Sequence, residues 1–246
     1  VAHGVQECSQ AFLPAKTERP WILELCGGHA EVTEQFMKEG YSTMRPRDIQ
    51  YGDDLYDRRT QLGIISEIKI SRPMLVVMGW PCTLWGSFTN LNFKGEIGKQ
   101  RLRRLRQKEK PILSFFEEVA EIQIAGNRHV IGENPIWSKA LETKPILRTL
   151  EKDRVEVVKT DMCRHGLKSP DDDGKYLKKG TGLIVSHPAY RSILGLRCQN
   201  RHWHEPVEGR KKCGHAAVYT KLFAKRVVQA TERAARFPLA AARRGA

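Results

Sequence analysis

Three polar clusters follow short apolar runs, and together they hold the residue types of covalent catalysis. Cys82 lies in Trp80-Pro81-Cys82-Thr83, after the apolar run 73–79 and ahead of a loop rich in Gly, Ser, Thr and Asn. A thiol in a polar loop after a buried strand is placed as a nucleophile, and such a group splits one hard step into easier ones. Glu133 opens Glu133-Asn134-Pro135 after 129–132 and offers a carboxylate to a substrate. Glu24-Leu25-Cys26-Gly27-Gly28-His29 closes the run that starts at Trp21, and its glycines let backbone approach a cofactor. Each cluster has a plainer alternative. A lone Cys is more often a small buried hydrophobe. Gly-Gly also closes an ordinary turn. A carboxylate at a helix start is an ordinary capping feature.

The elements around these clusters set their positions. Residues 21–26, 41–44, 73–79, 129–132 and 155–160 read as strands. Between them, 30–39, 57–69, 111–126 and 136–150 read as helices. Gly40 suits the C-terminal cap of the first, and Pro111 the first turn of the third. This alternation predicts an α/β, doubly wound, mostly parallel sheet with helices on both faces. Ligands bind at the carboxyl ends of strands in such sheets, where all three clusters fall. Further on, 171–174 reads as a turn, 182–186 as a strand and 216–232 as a helix. Residues 1–20 read as a leader or linker, 21–232 as the domain, and 233–246 as an Ala/Arg-rich tail.

The 246 residues fit one large α/β domain or two very small ones, and 40% hydrophobic content excludes general disorder. No run of about 18 apolar residues offers a membrane span. Lys and Arg number 42 against 28 Asp and Glu, a net +14, which fits a polyanion binder such as nucleic acid as well as a basic solubilising surface. The six cysteines are scattered and read as reduced thiols. With no secretory signature in the first residues, a nuclear or cytoplasmic setting is expected. The chain starts at Val1 without a Met, so a piece of something longer is expected, acting as a monomer.

Taken together, the three clusters resemble the cytosine-5 DNA methyltransferases. In that family the first strand ends in a glycine turn that holds S-adenosylmethionine. The fourth ends in Pro-Pro-Cys, whose Cys is the nucleophile, and the fifth in Glu-Asn-Val, whose Glu contacts the cytosine. The counterparts here are Cys26-Gly27-Gly28-His29, Trp80-Pro81-Cys82 and Glu133-Asn134-Pro135, in the same order. The resemblance covers about 21–186 and is nearest to compact methyltransferase-like domains of retroelement polyproteins. It implies a Rossmann-like methyltransferase fold, with Cys82 and Glu133 as catalytic residues. It places S-adenosylmethionine on Cys26, Gly27, Gly28, His29, Asp48, Asp53 and Pro81, Asp48 at the ribose and Asp53 near the adenine. Thr83 and Asn134 fall beside the target base. The chain departs from the family in Cys26 for an aromatic, Trp80 for Pro and Pro135 for Val. The family's Gln-x-Arg-x-Arg motif is missing, and Lys178-Lys179 would stand in for its charge.

Two further groups bear on ligands. Residues 101–110 hold six basic side chains in ten, among them Arg101, Arg103, Arg104 and Arg106, which would reach phosphates if the Cys82 loop faces DNA. The competing reading is a solvated helix face with Leu102 and Leu105 beneath. Trp85 and Phe88 would stack on bases or anchor the loop. Cys198, His202, His204, Cys213 and His215 form a local cluster, with Cys163-Arg164-His165 upstream. Its spacings match no common zinc finger, so a zinc on Cys198, His202, His204 and Cys213 stands against a basic, histidine-rich loop. The leading expectation is methyl transfer to cytosine in DNA. A non-catalytic nucleic-acid-binding relic and an RNA pyrimidine methyltransferase are the alternatives.

Overall fold

The computed structural model of the chain describes residues 15–86 and 89–238. Phe88 and the ends of the expected leader and tail fall outside them. In chain order the elements are Ile22–Leu25 (β1), Glu31–Lys38 (α1), Arg58–Ser71 (α2), Leu75–Met78 (β2), Thr89–Asn92 (α3), Gly95–Ala125 (α4), His129–Pro135 (β3), Lys144–Leu150 (α5), Glu156–Asp161 (β4), Tyr176–Leu177 (β5), Gly180–Val185 (β6), Pro188–Leu194 (α6), His204–Glu205 (β7), Gly209–Ala217 (α7) and Lys221–Arg236 (α8).

Five strands form the main sheet in the order β1-β2-β3-β6-β4. β1, β2 and β3 pair in parallel, while β6 runs antiparallel to both of its neighbours. The sheet is thus mostly parallel with one reversed strand, compatible with a Rossmann-like fold. Side chains alternate across it. In β2, Leu75 and Val77 join Phe36, Tyr190, Phe223 and Val227 on the face covered by α1, α6 and α8. Val76 and Met78 join Ile64, Ile68, Phe116 and Val119 on the face covered by α2, α4 and α5. Because both faces are covered, the strands read as apolar runs with little alternation. Phe116 closes over Gly132, where an added Cβ would lie 2.6 Å from its ring. Truncating such a buried ring costs about 3–5 kcal/mol. No helix among the described residues is long and apolar enough to cross a membrane.

Several boundaries differ from the sequence expectation. The strand expected at 41–44 is an irregular edge beside β1, held by Trp21 N–H to Ser42 O and Met44 N–H to Ile22 O. Its two bridges, Ile22 to Thr43 and Leu25 to Arg47, leave one extra residue on this side, and Pro46 has no N–H to continue a ladder. Pro111 does not start a helix. It sits inside the 31-residue α4 on an exposed face, where its missing N–H falls towards solvent. The helix expected at 136–150 is a 3-10 turn at Lys139–Glu142 followed by α5. The helix expected at 216–232 is split before Thr220, whose hydroxyl caps α8 by accepting from Phe223 N–H at 3.1 Å. α8 then runs to Arg236, four residues past the expected domain end at 232.

Candidate active site

Cys82 and Glu133 are 51 positions apart, yet each lies at the carboxyl end of a strand in the adjacent pair β2 and β3. Asn134, fully buried, ties the two ends together by donating its Nδ2 to Trp80 O at 2.9 Å. Cys82 is exposed and begins a tight turn in which its carbonyl accepts from Trp85 and Gly86 N–H. Protein packed around the thiol, and then the Glu133 charge, push its pKa above the ordinary thiol value, while Lys179 pulls the other way. Glu133 is 8% exposed and faces Lys179 Nζ at 3.4 Å. Lys179 also donates to Ala216 O at 3.0 Å. Tyr219, from the turn ahead of α8, brings its hydroxyl against Gly79. A Cβ there would meet that oxygen at 2.7 Å and Glu133 Oε2 at 3.6 Å. Pro81 and Thr83 flank Cys82 and are exposed.

The turn after β1 lies at the same sheet edge. Cys26, Gly28 and Ala30 all adopt positive φ, near 54°. For the two non-glycines this costs on the order of 1–2 kcal/mol each. Gly27 is required by proximity, since a Cβ would meet Glu24 Oε1 at 2.4 Å. Glu24 is fully buried in the middle of an apolar strand, and its Oε2 accepts from Thr33 N–H and Oγ1–H at 2.8 and 2.9 Å. Its Oε1 has no hydrogen-bond partner among the described residues. Burial raises its pKa to about 7. Asp48 is also at this turn, but its carboxylate already accepts Gly28 N–H at 3.1 Å and Gln50 N–H at 2.9 Å. Tyr51 Oη–H donates to Gly28 O at 2.9 Å. His29 is exposed. Cys26 turns its side chain to the α2 and α4 face, where burial, then Asp48 and Glu109, hold the thiol well above its usual pKa.

Four expected ligand contacts change in the structure. Asp53 is committed to Arg45 and Arg47, at 3.1 and 3.0 Å, and is not free for an adenine. Trp85 is 3% exposed, so it anchors the Cys82 loop and cannot stack on a base. Arg106 lies on the inward stripe of α4 that also carries Leu102 and Leu113. It donates to Leu84 O at 2.8 Å, and its guanidinium stands 5.1 Å from the Trp85 ring centroid. It therefore holds the loop from beneath. Lys178 donates to Asn200 Oδ1 at 3.0 Å, leaving Lys179 alone beside Glu133. Arg101, Arg103 and Arg104 face solvent, Arg103 beside Glu96 at 3.3 Å.

Other residues at this edge were given no role by the sequence reading. Glu24 and Tyr219 border the site from within. Glu24 had a signal, a charged residue inside an apolar strand. Trp137, just after β3, is 74% exposed. An aromatic in the turn after Glu-Asn-Pro was its signal. In the Cys/His group, Cys163 replaces the expected Cys213. Cys213 sits exposed on α7 with its thiol on Val207 O at 3.7 Å. A separate cleft lined by Arg19, His129, Arg154 and His187 opens at the amino end of β3. It is away from Cys82 and from the strand ends where doubly wound folds hold ligands. No protein-family model matches the chain, and no curated protein matches it in sequence.

Proposed function

We propose that this chain transfers a methyl group to carbon 5 of cytosine in DNA, through an adduct with Cys82. The observation that carries the proposal is the convergence of Cys82 and Glu133 at one sheet edge, at the ends of the adjacent strands β2 and β3, which Asn134 ties together through Trp80 O. In this chemistry the target base leaves the helix. Cys82 loses its proton and its sulfur adds to carbon 6, which makes carbon 5 electron-rich. Glu133 hydrogen-bonds the ring edge and stabilises charge at the ring nitrogen, with Lys179 balancing the carboxylate. Carbon 5 takes the methyl group, and loss of its proton to water then breaks the bond from sulfur to carbon 6, restores the ring and releases Cys82.

S-adenosylmethionine would supply the methyl group. The turn after β1 fits such a cofactor in two respects. Gly27 and Gly28 carry no side chain to stand in the way, and the buried Glu24 Oε1 beneath Gly27 lacks a partner and would accept from a cationic donor. Glu24, Gly27, Gly28 and Asp48 are the residues that would hold it. One observation favours the rival reading of a non-catalytic relic. Asp48 and Tyr51 already occupy the Gly28 amide and carbonyl. Titration with S-adenosylmethionine, together with trapping on DNA that carries a mechanism-based cytosine analogue, separates the two. The proposal expects saturable cofactor binding and a covalent adduct in the wild type but not in Cys82→Ala. An adduct that persists in Cys82→Ala refutes the nucleophile, and absence of cofactor binding favours the relic.

A further inference from the structure

We propose a structural zinc site formed by Cys163, Cys198, His202 and His204, which pins the 196–205 loop to the end of β4. Its support is independent of methyl transfer. The four ligand atoms, each on a different side chain, all lie within 4.8 Å of one another. Cys198 Sγ is 3.6 Å from His202 Nε2 and 3.5 Å from His204 Nε2. Zinc bonds of about 2.3 Å to sulfur and 2.0–2.1 Å to nitrogen at tetrahedral angles place S and N about 3.6 Å apart. The protein already holds these edges.

The supporting contacts match a preformed site. Cys163 comes from the 3-10 turn Met162–His165 that follows β4, and it is 4% exposed. Asn200, in the left-handed region at φ 56°, turns the chain so that its N–H points at Cys198 Sγ, 3.3 Å away. The Cys198 amide is fixed by Asp161 Oδ2 at 2.7 Å. His204 begins β7, which pairs with β5 through two residues only. Two strands this short have marginal stability alone. None of residues 195–208 is buried, and only Val207 among them packs against the apolar core, which leaves the loop little apolar support. A metal bond set supplies that missing stability. Four protein ligands leave no open position, which makes the site structural, and an S2N2 set for a single ion fits zinc. The same cross-link reaches the candidate active site through chain connectivity, since Lys179 follows β5 closely and faces Glu133.

The test uses the intact chain purified without chelator. Elemental analysis should find about one zinc per chain, and cobalt loaded in its place should show the absorption of a tetrahedral thiolate site. Cys213→Ser should keep the metal, Cys198→Ser should lose it, and His202→Cys, which preserves four ligands, should retain it. If Cys198→Ser does not fold, the wild type alone decides, because bound zinc should shield the half-buried Cys198 from a thiol reagent until a chelator removes the metal, while Cys213 reacts throughout. Folded wild type without metal in micromolar zinc, a Cys163–Cys198 disulfide in its place, or loss of metal in Cys213→Ser would each overturn the assignment.

Discussion

Replacing Glu133 by Gln produces two effects that the site geometry sets in opposite directions. The carboxylate raises the Cys82 pKa, so neutralising it makes the thiol more acidic and speeds its capture by a simple alkylating reagent near neutral pH. The same change removes the charge that stabilises the ring nitrogen as Cys82 adds. Methyl transfer should therefore fall by about two or more orders of magnitude, the scale for losing a positioned acid–base group. Folding should change little. The pair with Lys179 spans 3.4 Å, with side chains 11% and 17% exposed. Its gross Coulomb energy is about 5 kcal/mol at an effective dielectric near 20. Desolvation offsets most of that. Gln keeps the shape and Lys179 keeps its bond to Ala216 O. A net loss of about 1–2 kcal/mol lowers Tm by about 2–8 °C. Single-turnover transfer, alkylation kinetics and a thermal melt on the same samples check all three. A stable variant with unaltered turnover removes Glu133 from the mechanism, and a slower-alkylating thiol shows that its charge does not reach Cys82.

Glu24 has a pKa of about 7 in the folded chain against an ordinary value of 4.5, so the folded state binds the extra proton between these values and stability falls as pH rises across them. Glu24→Gln should flatten that slope and gain on the order of 1–3 kcal/mol at pH 8, read by urea unfolding at pH 5 and pH 8. Neutralising the outward Arg101, Arg104 and Lys108 should reduce the log-log salt slope of duplex DNA binding by about 0.9 for each phosphate that is no longer neutralised. An unchanged slope places the DNA elsewhere. Arg106→Met removes a charged hydrogen bond to Leu84 O worth about 1.5–3 kcal/mol. It should speed proteolysis within 82–94 by about tenfold or more, and equal cleavage rates would show that Arg106 does not hold the loop.

The parts of the site on buried strands were legible in the sequence, for a physical reason. β2 and β3 are covered on both faces, so they stand out as apolar runs, with Cys82 shortly after the first and Glu133 among the last residues of the second. What depends on pairing distant in sequence was less legible. The reversed β6 lies between β3 and β4, although it follows both in the chain. Cys163 and Cys198 are brought together from separate loops, whereas Cys213 was nearer in sequence to the histidines. Arg106 was obscured by its basic neighbours. Its helical phase with Leu102, Glu109 and Leu113 shows that it faces inward, but only if the helix starts well before Pro111. Asp53 was placed by the family resemblance, as the acid after Gly52, and that carries no information about its pairs with Arg45 and Arg47.

Mass spectrometry of DNA incubated with the purified chain and S-adenosylmethionine tests the central claim most directly. Methyl transfer through Cys82 predicts 5-methylcytosine with the wild type and none with a folded Cys82→Ala chain. Folded wild type that binds both DNA and cofactor yet yields no 5-methylcytosine, or equal yield from Cys82→Ala, would contradict it.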